Sequence, residues 1–321
     1  MPTRDRIRRR VGLAVVAALL LAATVACADS SGDHPGARRP AVEAVPPPEH
    51  PLPTLAGSTI HRENGETAAQ ALARIDASYG PIRVARIFSP GLPVSWKYLD
   101  GLLGDRPAVV SFRATPRSVL SGRYDRALRA WFRDAPTDRD TWWAYLHEPE
   151  DDVERGYFTA RAFKRAWKHV DRIAARVGNP RLHATMILMC WTPQRGSDRD
   201  WRDYVPRHDR VDVLSFDCYA KGRGAEEYAD PERLFAAGYR AAQAAGAEWA
   251  VSELGAVRDP TDDGTARAAW ISEAAAWVVG RARFVTYFDA DVGGGFQLTD
   301  EPSRAAWAAV VAASPTGADG G

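Results

Sequence analysis

The sequence predicts a (β/α)8 barrel, a single α/β domain preceded by an export leader and a tether. Three observations point there. Short apolar runs alternate with amphipathic stretches along the body, and strand followed by helix, repeated, argues for a parallel sheet. Eight such units fit a body of about 260 residues, close to the usual size of a closed eight-unit barrel. No GxGxxG follows the first run, which weakens the open doubly wound alternative.

The elements follow in chain order. Residues 1–10 carry Arg4, Arg6, Arg8, Arg9 and Arg10, and an apolar run extends from Val11 to Ala26. A positive stretch before a hydrophobic one is an export signal. The run is shorter than the roughly 20 residues a spanning helix prefers. Thr24-Val25-Ala26-Cys27 resembles a bacterial lipobox, so residues 1–27 read as leader and Cys27 as the lipidation site. Simple secretion with cleavage near Ala28 is the alternative. Residues 28–53 are rich in Pro, Gly and Ala and lack an apolar period, which predicts a disordered linker. The barrel is expected over 54–313, and 314–321 as a flexible tail.

Within the body the strand-like runs are Leu55–Ile60, Arg83–Phe88, Ala108–Arg113, Trp142–Glu148, Leu182–Cys190, Val211–Tyr219, Trp249–Leu254 and Phe284–Asp289. Helical patterns lie between most of them: Glu66–Tyr79, Tyr124–Arg133, Thr159–Val177, Pro231–Ala245 and Thr265–Val279.

Composition narrows the function. The chain has 42 Lys plus Arg against 41 Asp plus Glu, a net charge of +1, which lacks the basic footprint of a nucleic-acid binder. Hydrophobic residues make up 45% and charged residues 26%, which excludes a wholly disordered chain and a polytopic membrane protein. The 11 Trp, 10 Tyr and 10 Phe supply flat apolar faces that can stack on sugar rings. A monomer is expected, touching membrane only through the lipid anchor.

Barrels of this kind place their chemistry at the C-terminal ends of the strands. The fourth run ends His147-Glu148-Pro149-Glu150, the sixth Asp217-Cys218-Tyr219 and the seventh Ser252-Glu253-Leu254-Gly255. The second carries Arg86 and the eighth ends at Asp289. Glu148 and Glu253 are acids at the ends of otherwise apolar strands, where an unpaired carboxylate is costly to bury. Two such groups facing one pocket can act as proton donor and nucleophile. Surface acids paired with nearby Arg residues are the plain alternative.

Tyr145-Leu146-His147-Glu148 and Ser252-Glu253-Leu254-Gly255 together resemble the retaining barrel glycoside hydrolases with acids on strands four and seven. His before the first Glu is similar to glycoside hydrolase family 26, the β-mannanase family. The likeness spans Gly57 to Trp307. It implies that Glu148 is the general acid/base and Glu253 the nucleophile. It further implies that His147 orients substrate or acid, that Tyr219 hydrogen-bonds the nucleophile, and that Arg86 supports the same carboxylate by opposite charge. The implied substrate is a β-linked polysaccharide, β-mannan first, cleaved with retention and with carboxyl groups about 5–5.5 Å apart. Pro149-Glu150-Asp151-Asp152 departs from typical mannanases, which puts substrate specificity in question. Strict strand alternation sets His147 and Glu148 on opposite faces, so both reach the pocket only if the strand end twists or bulges.

Other residues carry two readings each. Trp191 follows the fifth run and is either a sugar-stacking platform or plain packing. Asp217 either hydrogen-bonds sugar hydroxyls or caps its strand, and Asp289 is similar. Trp96 and Trp201 are loop candidates for substrate contact, whereas Trp131, Trp167, Trp270, Trp277 and Trp307 fall in helical patterns and read as core. Of Trp142 and Trp143, which alternate, one reads as core. Glu150, Asp151 and Asp152 read as a solvated acidic loop in preference to a cation site. Cys190 and Cys218 either form a disulfide or remain free buried thiols. With no HxH on the first run and no HExxH, no catalytic metal or other cofactor is expected. No GxSxG supports a serine hydrolase. A non-catalytic carbohydrate-binding barrel and a transglycosylase using the same acids remain the rival readings.

Overall fold

The computed structural model describes residues 44–206, 211–221, 228–292 and 295–316. The expected leader with Cys27, linker residues 28–43, Gly293 and Gly294, and tail residues 317–321 lie outside the described residues. Eight parallel strands close into one barrel in chain order: β1 (Leu55–Thr59), β2 (Val84–Ser89), β3 (Ala108–Phe112), β4 (Thr141–Tyr145), β5 (Leu182–Met189), β6 (Val213–Lys221), β7 (Glu248–Val257) and β8 (Ala282–Tyr287). The closing pair matches Leu55 with Phe284 and Ser58 with Tyr287. Around it lie α1 (Ala68–Tyr79), α2 (Trp96–Leu103), α3 (Pro116–Leu120), α4 (Asp125–Arg133), α5 (Glu150–Glu154), α6 (Ala160–Ala175), α7 (Pro231–Ala245), α8 (Thr265–Val278) and α9 (Glu301–Ala313). The fold is the expected (β/α)8 barrel.

Strand periodicity explains the two cores. Leu55, Val84, Val109, Trp142, Ala144, Ile187, Val213, Ala250 and Phe284 fill the barrel interior. Their neighbours in sequence point outward to the helices. Trp142 packs inside, its ring 4.9 Å from that of Phe284, while Trp143 stacks outside on Trp167 at 5.8 Å. Gly57 is required by close approach, since a Cβ there would lie 1.7 Å from the Val84 carbonyl oxygen.

Caps set the helix starts. Thr67 and Gln70 form a capping box ahead of α1, and Asp230 caps α7 with Pro231 at its first position. Ahead of β1, Val45 is buried, its amide donating to Glu232 at 2.6 Å, and Leu52 bridges Gly280. Those residues of the Pro-rich segment lie against the barrel. Cys190, just past the end of β5, and Cys218, within β6, are joined as a disulfide with Cα atoms 4.9 Å apart. Among the described residues no helix is long and apolar enough to cross a membrane.

Of the two loop tryptophans that were candidates for substrate contact, Trp96 is corrected. Trp96 opens α2, is buried, and donates its indole N–H to the Trp131 carbonyl at 2.8 Å. Trp201 lies half-buried in a 3-10 turn with the Arg202 guanidinium 4.6 Å over its ring. The sequence pattern missed α2, α3 and α5 because each is eight residues or fewer, too short for a helical period to stand out.

Candidate active site

The C-terminal ends of β2, β4, β6 and β7 converge on one constellation. Arg86 on β2 is fully buried. Its Nη1 donates to Ser111 Oγ at 2.7 Å and to the Ile87 carbonyl at 2.8 Å, and its Nη2 lies 3.2 Å from Glu253 Oε1. The Tyr219 hydroxyl donates to the other oxygen of Glu253. Both partners of Glu253 are donors, so its carboxyl is set as an acceptor with one oxygen against a cation and one against a phenol.

Glu253 faces the site because β7 bulges. Phe216 pairs with Val251, but Asp217 pairs with Glu253, so Ser252 is the extra residue. Ala250 points into the barrel and, by alternation, so does Ser252, whose hydroxyl meets that of Ser215 at 2.6 Å. Without the bulge Glu253 would point outward to the helices. The Thr286 hydroxyl donates to the Ser252 carbonyl and helps hold the irregularity in place. Two residues on, a Cβ on Gly255 would sit 2.8 Å from the Tyr219 ring. Glycine there leaves room for the phenol that holds Glu253.

The end of β4 resolves the conflict over His147 and Glu148. Leu146 has φ +49° and Glu148 φ +48°, left-handed conformations that non-glycine residues rarely adopt. The turn at Leu146 sends its side chain into the outer core and reverses the strand's parity. His147 then points inward, its Nδ1 3.2 Å from Ser111 Oγ, and the Phe88 ring meets it edge-on at 4.8 Å. The Glu148 amide still donates to the Ile187 carbonyl at 3.0 Å, so the strained turn remains fastened to β5. Left-handed non-glycine residues cost of order 1–3 kcal/mol each and cluster at functional sites.

The acids differ in environment. Burial, with the negative charges of Glu253, Glu150 and Asp151, pushes Glu148 up to about 8, against the partial pull of Arg86. Burial next to Glu253 and Glu148 also raises Asp217 well above the carboxylate range, and neither of its oxygens has a hydrogen-bond donor. Burial, together with Arg86 and Arg113, keeps the His147 imidazole neutral by driving it well below its usual range. Burial and the carboxylate of Glu253 raise Tyr219, which keeps its proton on the hydrogen bond. Ligating atoms of His147, Asp217 and Glu253 lie within 4.8 Å of one another, but the guanidinium of Arg86 already supplies a fixed positive charge to that carboxylate.

The expected residues thus divide plainly. Arg86, His147, Asp217, Tyr219 and Glu253 come together, and Glu148 stands at the same mouth within electrostatic reach. Trp191 is 51% exposed at the end of β5, beside the disulfide, and is not packed in the core. Asp289 is buried and takes the Leu298 amide at 2.9 Å, which is a structural role.

The acidic run is corrected: Glu150 opens α5 and is fully buried, and Asp152 is buried against Arg113. Sequence reasoning also missed Phe88, 42% exposed beside His147, and Ser111, which joins Arg86 to His147. Phe88 follows Arg86 by two positions on one strand, so period-two counting was the available signal.

No protein-family model and no curated protein matches this chain. Solved structures do resemble it. Cel5A of Thermotoga maritima, solved with a cellobiose substrate, superposes with TM-score 0.52 at 11% identity, covering 80% of this chain and 96% of that one. The GH26 domain of a Prevotella bryantii endo-β-mannanase/endo-β-glucanase gives 0.53 at 11% identity, covering 81% and 89%. A modular endo-β-1,4-mannanase of Cellulomonas fimi gives 0.51 at 14% identity, covering 82% and 71%. At these identities the likeness is one of fold.

Proposed function

We propose that this chain is a retaining glycoside hydrolase acting on a β-linked polysaccharide, with β-mannan the first substrate to test. The observation that carries the reading is the contrast between two glutamates at one barrel mouth. Glu148 is held protonated near neutral pH, whereas Glu253 is bracketed by a guanidinium and a phenol. Those are the environments a proton donor and a nucleophile need. The similar folds include an endo-β-mannanase/endo-β-glucanase, an endo-β-1,4-mannanase and a cellobiose-bound Cel5A, which supports the substrate class.

In the first step Glu253 attacks the anomeric carbon as the glycosidic C–O bond breaks, and Glu148 gives its proton to the leaving oxygen. In the second, Glu148 takes a proton from water, the resulting hydroxyl attacks the anomeric carbon, and Glu253 leaves. Tyr219 and Arg86 orient the nucleophile and accommodate its changing charge. His147 and Asp217 face the sugar at this centre, and Trp191 offers a ring for a flanking sugar. We further infer that the protein is exported and lipid-anchored through Cys27, and that it acts as a monomer without metal or other cofactor.

The test is reducing-sugar release from β-mannans, β-glucans and xylans by the purified protein, beside Glu148→Gln and Glu253→Gln. Release that both substitutions abolish supports the reading. No release from any of these glycans by folded protein would count against it.

A further inference from the structure

Glu150 is a buried acid that the two-carboxylate chemistry does not use. It is the first residue of α5, two positions after Glu148, and none of its surface is exposed. Its Oε1 accepts the Met189 amide at 2.9 Å and the Thr192 hydroxyl at 2.6 Å. Those donors flank Trp191 at the end of β5. The same strand end holds Glu148 directly, through the Ile187 carbonyl at 3.0 Å. Three hydrogen bonds therefore fasten residues 148–150 to residues 187–192.

The arrangement is costly for packing alone. Oε2 of Glu150 is buried without a donor, so its desolvation is uncompensated. An apolar side chain of similar size would fill the space without that cost. The left-handed turn at Glu148 is also strained and persists only where its surroundings over-determine it. Clamps on both sides supply that determination: Ser111 against His147 before the turn, and Glu150 after it.

We propose that Glu150 is a positioning residue for the general acid: its bonds to Met189 and Thr192 fix the left-handed turn that aims the Glu148 carboxyl, and orient Trp191. The inference rests on the reading of Glu148 given above. The fold does not depend on Glu150 alone. Arg199 ties the same two segments from outside, 2.9 Å from Asp151 and 2.9 Å from the Met189 sulfur, and the Cys190–Cys218 disulfide holds the β5 end.

A leaving-group comparison tests it. Purified wild type, Glu150→Leu, Glu150→Gln and Glu150→Asp are assayed for kcat/KM on the polysaccharide the wild type cleaves and on a 2,4-dinitrophenyl β-glycoside of its sugar. Dinitrophenolate leaves without a proton, so a misdirected acid matters little there. Glu150→Leu is expected to lose about 10–100-fold on the polysaccharide and under about threefold on the aryl glycoside. Glu150→Gln, which keeps an acceptor oxygen, recovers most of the loss. Glu150→Asp, one methylene too short to reach both donors, behaves like Glu150→Leu and carries the comparison if that variant does not fold. Equal losses on both substrates, or none on either, would overturn the proposal. A wild type silent on both substrates defeats the glycosidase reading instead. The crystal structure of Glu150→Asp then decides the geometry: Glu148 leaving positive φ supports the clamp, and an unchanged turn overturns it.

Discussion

The phenol of Tyr219 on β6 donates to Oε2 of Glu253 on β7, and the two residues can meet only because β7 carries a bulge at Ser252. One extra residue turns an outward-facing acid into the group at the centre of the site. The glycine two positions later clears the space the phenol occupies.

Tyr219→Phe removes that donor and leaves the ring packed against Phe288 and Phe296. A hydrogen bond to a charged group is worth about 1.5–3 kcal/mol, so kcat should fall about 10–100-fold, and because the bond is already made in the free protein the melting temperature should drop by several degrees as well. Steady-state kinetics beside a thermal melt check this. A variant with unaltered kcat would remove Tyr219 from the chemistry.

The pH dependence follows from Glu148. In the proposed role of proton donor, held near 8, it must be protonated in the free enzyme, so kcat/KM should fall as pH rises through about 8. On an activated aryl glycoside, the residual activity of Glu148→Gln should lack that limb. A wild-type limb near 5 would assign it to another group.

Stability should show the same sign. Glu148 near 8 and Glu150 near 7 stay protonated in the fold, while both ionise near 4.5 when unfolded. The unfolded chain therefore binds fewer protons above 4.5, and stability declines from about pH 4.5 until Glu150 ionises near 7 and Glu148 near 8, levelling off above that. The slope is up to about 1.4 kcal/mol per unit for each group. Chemical denaturation at pH 6 and pH 9 measures it, and Glu150→Gln should flatten the decline.

Much of this architecture was legible in the sequence. The strand starts and five of the six helices longer than eight residues follow from apolar runs and 3.6-residue periods, and the acids at the ends of β4 and β7 stand out against apolar strands. The parity conflict at His147 and Glu148 was legible too, from strand alternation; what lay hidden was how the backbone resolves it, and that β7 needs a bulge at all. The turn at Leu146 and the bulge at Ser252 each shift which face a side chain takes, and a bulge is defined only against its partner strand. The acidic run after Glu148 misled for a related reason. Three consecutive acids look solvated, yet the first turn of α5 rotates Glu150 inward onto the Met189 amide.

Trp191 should act on binding more than on the chemical step. It is exposed at the mouth, and a stacked ring contributes about 0.5–1.5 kcal/mol. Trp191→Ala should raise KM about 3–10-fold and leave kcat within about twofold. An unchanged KM on polymeric substrate would place the sugar chain elsewhere.

The disulfide joins the residue between Met189 and Trp191 to the residue between Asp217 and Tyr219. Cys218→Ser should lower stability by about 3–4 kcal/mol from the loop it no longer closes. Because Asp217 and Tyr219 flank the lost bond, activity should fall in protein that is still folded at the assay temperature. Full activity with reduced stability would confine the disulfide to folding.

The proposed mechanism pairs Glu253 as nucleophile with Glu148 as acid/base. Proton NMR of the first sugar released, recorded before mutarotation, tests this most directly. Retention requires two inversions through a glycosyl-enzyme, with carboxyl groups about 5–5.5 Å apart. The β-anomer should appear first and the α-anomer only later. Initial release of the α-anomer would contradict it.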